Sequence, residues 1–88
     1  MPETFTVSVE THFSAAHALR GYGGDCARLH GHNWVVRVRV RSCGLDKAGI
    51  AVDFRVLKGH LKAVLDELDH RSLNDLEPFR ETNPSAEN

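Results

Sequence analysis

The residues of this 88-residue sequence best suited to chemistry lie in one short stretch, Cys26-Ala27-Arg28-Leu29-His30-Gly31-His32, with His17 upstream. Side chains at i and i+2 of a strand point the same way. The imidazoles of His30 and His32 can therefore converge on one ion, and Gly31 leaves room between them. Zinc is the natural occupant. Three histidines at about 2.0–2.1 Å leave a fourth tetrahedral position open, as in a catalytic site rather than a closed structural one. The spacing also allows a plainer interpretation, in which the histidines are partly buried rings held by backbone hydrogen bonds. Cys26 lies four residues before His30, in a glycine-rich loop beside Arg28. A cation nearby favours the thiolate, the form that acts as base or nucleophile, although a cysteine can equally serve as a small apolar residue. Asp69-His70 adds a carboxylate and an imidazole. With Cys26 they make a set fit for proton transfer at neutral pH, if folding brings them together. A histidine at a helix end also complements the helix dipole, so the pair has a structural explanation too. His12, His60 and Cys43 have no comparable neighbours and stay outside the candidate site.

These residues need elements to position them. From Thr4 to Phe13 the residues alternate, with Phe5, Val7, Val9 and Phe13 on one face and Thr4, Thr6, Ser8, Glu10 and His12 on the other, which predicts a half-buried strand. His17 falls just after it. Gly21-Tyr22-Gly23-Gly24-Asp25 then supplies a flexible loop. From about His30 to Ser42 the alternation returns. His30, His32, Trp34, Val36, Val38 and Val40 share one parity; Arg37, Arg39 and Arg41 share the other. The arginine stripe is most simply a solvated face, and alternatively an electropositive wall for an anionic ligand. After a turn at residues 44–49, Asp53 stands at a helix N-cap. The apolar spacing of Phe54, Leu57, Leu61, Val64, Leu65 and Leu68 predicts a helix ending near Asp69. At the end of the chain, Asn83-Pro84-Ser85-Ala86-Glu87-Asn88 has the capping residue, first-turn proline and acidic residue of a helix start.

Composition narrows the classes. One small domain of this size buries roughly 60–65% of its unfolded surface. With 41% hydrophobic and 26% charged residues the chain has an ordinary globular balance, and no apolar run is long enough to span a bilayer. The start, Met1-Pro2-Glu3-Thr4-Phe5, lacks the basic and apolar segments of a secretory signal, which predicts a cytoplasmic protein with two free thiols. A net charge of −1 gives no argument for nucleic acid or an anionic membrane as partner. Two strands and one helix would leave sheet edges unpaired. The sequence therefore predicts that a C-terminal half, or a partner chain, completes the domain.

At these residues the sequence resembles the 6-pyruvoyltetrahydropterin synthase family. Five segments match in order: Phe13-Ser14-Ala15-Ala16-His17; residues 26–33; Val52-Asp53-Phe54 with Leu57-Lys58; Leu68-Asp69-His70 with Leu73-Asn74; and residues 83–88. The three-residue gap between Cys26 and His30 is similar to that of the bacterial 6-carboxy-5,6,7,8-tetrahydropterin synthases of the queuosine pathway. The resemblance implies an α+β tunnelling fold (T-fold), an antiparallel sheet with helices packed on one side, of which residues 1–88 would be the N-terminal half. Its subunits join edge to edge into barrels, commonly as hexamers. It further implies zinc bound by His17, His30 and His32, and a proton-transfer set of Cys26, Asp69 and His70. The implied substrate is 7,8-dihydroneopterin triphosphate, which yields 6-carboxytetrahydropterin, acetaldehyde and triphosphate. A 6-pyruvoyl product, or a non-catalytic zinc-binding half-domain, are the alternatives. The family anchors its pterin ring on a glutamate of a late strand, which has no counterpart up to Asn88. Trp34 stands where the family often has Tyr or Phe.

Overall fold

The structure, a computed structural model, describes residues 3–88. The two alternating segments form 13-residue strands, β1 (Phe5–His17) and β2 (His30–Ser42). They pair antiparallel in unbroken register from Phe5↔Ser42 to His17↔His30. Burial follows the alternation. Val9, Phe13, Ala15 and His17 of β1 are buried, whereas Thr6, Ser8, Glu10 and His12 are exposed. β2 has the bounds that its pattern predicts. β1 runs four residues further than expected, so His17 is the last residue of the strand and not part of the loop. The physical reason lies across the ladder: residues 31–33 of β2 pair with residues 14–16 and hold that small-residue stretch extended despite its weak strand propensity.

Asp53 caps α1 (Phe54–Leu65), its Oδ1 accepting from the Arg55 N–H at 2.8 Å. The helix ends four residues before Asp69, earlier than the apolar spacing suggests. Beyond it the chain tightens into a turn in which the Leu68 and Asp69 amides both bond back to the Leu65 carbonyl, at 2.9 and 2.8 Å. Leu68, the last member of the stripe, thus reaches the core from a turn. α1 lies on the buried face of β1, with Leu61 and Leu65 beside Val9 and Phe13. After the turn, His70 takes a left-handed backbone (φ 58°) and donates its N–H to the Ser14 carbonyl at 2.6 Å. This directs β3 (Arg71–Ser72) alongside β1, where Ala15 pairs with Arg71 and Ala16 with Ser72. β3 runs parallel to β1, so the sheet, in the order β2-β1-β3, is mixed and not purely antiparallel. The helix carries the chain from the end of β2 back along the sheet to β3 on the far side of β1.

Phe13, Ala15 and Leu73 form the buried core, and Trp34, Val36, Leu65, Leu68, Leu76 and Phe79 pack against it. This core serves one end of a long hairpin. The radius of gyration is 17.1 Å, against about 12 Å for a compact chain of this length. No helix among the described residues is long and apolar enough to cross a membrane. Residues 83–88, expected to start a helix, do not form one. The Asn83 side chain bonds to the backbone of Arg20 instead of capping its own segment, and Pro84 is fully buried.

Candidate metal centre

The last rung of the hairpin sets two of the three histidines opposite each other, His17 on β1 and His30 on β2, and His32 follows two residues along on the same face. Each offers one ring nitrogen, and the three nitrogens lie within 4.8 Å of one another. His17 is buried, His30 half-buried and His32 exposed, so the cluster opens to one side.

Backbone carbonyls fix the ring tautomers. His17 Nδ1 lies 2.7 Å from the Pro84 carbonyl oxygen, His30 Nδ1 2.8 Å from that of Arg28, and His32 Nδ1 3.3 Å from that of Asn33. A carbonyl oxygen only accepts, so Nδ1 is the donor in each contact, and in a neutral ring that leaves Nε2 with the lone pair a metal takes. His32 Nε2 and His17 Nε2 face each other at 3.1 Å. Two ring nitrogens at that distance share either a proton, as in an N–H···N hydrogen bond, or a cation. A tetrahedral ion with ligands at about 2.0–2.1 Å sets its donor nitrogens roughly 3.3–3.4 Å apart, close to the 3.1 Å between His17 and His32. The donor set fits a metal of zinc's type, and these three residues could hold it.

Trp34 forms a wall of the cluster. Its ring lies 4.3 Å from that of His32 and 4.8 Å, edge to face, from that of His17, and it stacks on Phe13 at 6.1 Å. Among the described residues its indole N–H is inaccessible and without a partner.

Asp69 and His70 are tied to the same end of β1. The Ser14 N–H donates to Asp69 Oδ1 at 2.9 Å, and His70 Nδ1 lies 2.9 Å from Asp69 Oδ2. These bonds, the Ser14 amide first and His70 second, hold the Asp69 carboxyl below its ordinary pKa of 3.8. The His70 ring is largely exposed and shares with His32, Asn33, Gly31 and Ser72 the wall of an open cavity of about 540 Å³. Gly31 is not there to make room between the histidines. A Cβ would meet only ordinary contacts, 3.9 Å from the Ala15 oxygen and 4.0 Å from the Ala16 Cβ. Cys26 is exposed on a single 3-10 turn (Gly24–Ala27), and its carbonyl holds the Leu19 amide at 2.9 Å. The thiol shares no hydrogen bond with Asp69 or His70 among the described residues. The structure thus gathers the three histidines, sets the Asp69–His70 pair on the same strand end, and leaves Cys26 on the loop joining the two strands.

Sequence reasoning missed the support for this site. Asn74 donates to the Ala18 carbonyl at 2.9 Å and accepts from its N–H at 2.8 Å. Asn83 does the same to Arg20, at 2.9 Å each way. The signal was a pair of asparagines, each beside a turn and far in sequence from its target.

An α+β domain of the tunnelling-fold type, with a three-histidine cluster at one end of its hairpin, is the class that these features define. The model of the 6-pyruvoyl tetrahydropterin synthase family matches residues 6–88, and the chain belongs to that family. It is 42% identical over 79 residues to the 6-carboxy-5,6,7,8-tetrahydropterin synthase of Bacillus subtilis, covering 89% of this chain and 52% of that protein. To the protein of the same name from Synechocystis it is 45% identical over 71 residues, covering 75% and 55%. The chain therefore spans about half the length of these curated relatives. The solved structure of Caenorhabditis elegans 6-pyruvoyl tetrahydropterin synthase matches with a TM-score of 0.87 at 33% identity, over 97% of this chain and 70% of that one.

Proposed function

We propose that the chain belongs to a zinc-dependent lyase of queuosine biosynthesis. It would convert 7,8-dihydroneopterin triphosphate and water to 6-carboxy-5,6,7,8-tetrahydropterin, acetaldehyde and triphosphate. The observation that carries this reading is the convergence of three imidazole nitrogens, with the Nε2 atoms of His17 and His32 3.1 Å apart. His17, His30 and His32 would hold the zinc. Bound there, zinc supplies Lewis acidity toward the substrate's side-chain oxygens, which acidifies the neighbouring C–H bonds.

The chain's own groups do the rest. Cys26, as thiolate, removes a carbon-bound proton. Asp69 accepts from the Ser14 amide and pairs with His70 Nδ1, which keeps the carboxylate charged and leaves His70 Nε2 toward the open cavity to take up and return protons. The exposed position of Cys26, without a bond to that pair, suits a base that meets the other groups through the substrate. The outer edge of β2, unpaired among the described residues, supports assembly into a cytoplasmic homo-oligomer, the family's hexamer, in which neighbouring strands cover such edges.

The test is zinc content with turnover, following dihydroneopterin triphosphate by mass spectrometry and using Cys26→Ala as control. Near-stoichiometric zinc with acetaldehyde release, retained zinc but no release in the variant, is the expected result. Zinc without turnover in the unmodified chain would reduce the reading to a non-catalytic metal-binding module, and absence of zinc would overturn the ligand assignment. A 6-pyruvoyl product is the second reading, supported by the likeness to the Caenorhabditis elegans enzyme. Product mass separates the two, and the short gap from Cys26 to His30 favours the carboxy product.

A further inference from the structure

We infer that residues 83–88 act as a clip that sets the tautomer of His17, with Pro84 supplying the carbonyl and Asn83 and Asn88 positioning it. The inference rests on the reading of His17 as a metal ligand given above. Pro84 has the largest fully buried side chain of the described residues, an unusual place for proline in a domain with so small a core. It suits the position because it brings no N–H to satisfy and its φ is fixed in advance. Its carbonyl oxygen is directed at His17 Nδ1, 2.7 Å away and buried. The opposite ring nitrogen, Nε2, is the one that faces His32.

Four side chains hold that carbonyl in place. Asn83 pairs with both backbone groups of Arg20, which lies three residues beyond His17. Asn88 donates its side-chain amide to the Asn83 carbonyl at 2.9 Å, and its N–H bonds Ser85 Oγ at 3.2 Å, which closes the segment on itself. The Arg20 guanidinium donates to the Phe79 carbonyl at 2.8 Å and ties the approach to the clip. His30 obtains the same tautomer from Arg28, two residues away, with no help from residues 83–88. His30 and His32 are therefore oriented locally, and His17 by a segment 67 positions distant. A ligating histidine whose second nitrogen loses such a partner typically binds metal 10–100-fold more weakly.

The variants that test this are Asn83→Asp and Asn88→Ala. Aspartate still accepts from the Arg20 N–H but sets a carboxylate against its carbonyl; alanine at 88 removes only an exposed bond. In zinc-free protein, the imidazole ¹⁵N shifts give the tautomer of each ring, and competition against a chelator gives the zinc Kd. Asn83→Asp should turn His17 from a single Nδ1–H form into an average of two forms and leave His30 unchanged. Its zinc Kd should rise roughly 10–100-fold. Asn88→Ala should give a smaller shift in the same direction. An unchanged His17 tautomer with a Kd within about twofold of the parent in both variants would overturn the clip. If Asn83→Asp fails to fold by circular dichroism, Asn88→Ala decides. If the parent binds no zinc the metal reading falls, while the tautomer comparison still decides the clip.

Discussion

Replacing Trp34 by phenylalanine separates two properties of the indole that pull in opposite directions. The ring packs on Phe13, His17 and His32, whereas its N–H is inaccessible and unpaired among the described residues. An orphaned buried donor costs about 1–3 kcal/mol. Trimming indole to phenyl removes on the order of 30–40 Å² of buried apolar surface, or about 1 kcal/mol at 25 cal/mol/Å². The two effects nearly cancel, so Trp34→Phe should lie within about 1 kcal/mol of the parent and on the stabilising side if the donor is fully orphaned. Trp34→Ala loses the packing as well and should fall at the lower end of the roughly 3–5 kcal/mol seen for large aromatics, because Trp34 is only half-buried. Urea unfolding of the zinc-free protein gives both values, provided that the slope of the transition is unchanged. If Trp34→Phe costs as much as Trp34→Ala, the N–H has a partner and the reasoning fails.

Three further outcomes follow from named contacts. Asn74→Ala removes both bonds to Ala18 and leaves two part-buried backbone groups unpaired, so it should destabilise by about 1–3 kcal/mol in the same titration. Asp69 has a lower pKa folded than unfolded, so its contribution is present above the ordinary value of 3.8 and disappears as pH falls through the folded value. Unfolding midpoints taken from about pH 5 downward should therefore decline less steeply in Asp69→Asn than in the parent. Glu10→Gln breaks an ion pair with Arg37 in which both side chains are about half exposed; it should change stability by less than about 1 kcal/mol, and by less still in high salt.

Most of the hairpin was legible because alternation and burial are the same fact at strand scale. The parity that assigns Val36, Val38 and Val40 to one face also carries His30, His32 and Trp34, and the structure keeps all six in phase. The Asp53 cap was equally local. What the sequence concealed was non-local. Ser14-Ala15-Ala16 has little strand propensity and is extended because β2 pairs with it. Residues 83–88 have the local grammar of a helix start, and a contact to Arg20 overrides it. The metal ligands could be guessed from i, i+2 spacing in β2, but the partner on β1 depends on register, and the carbonyls that orient the rings leave no mark in residue type.

The register has a consequence of its own. His17 and His30 face each other only when all thirteen rungs are in step, and shifting β2 by one residue would turn its histidines to the opposite face. A bound ion would therefore act as a proofreader of strand alignment. It rewards the one pairing that presents three nitrogens, by about 4.1 kcal/mol at a thousandfold excess over Kd, and gives nothing to a hairpin that has zipped one step out of place.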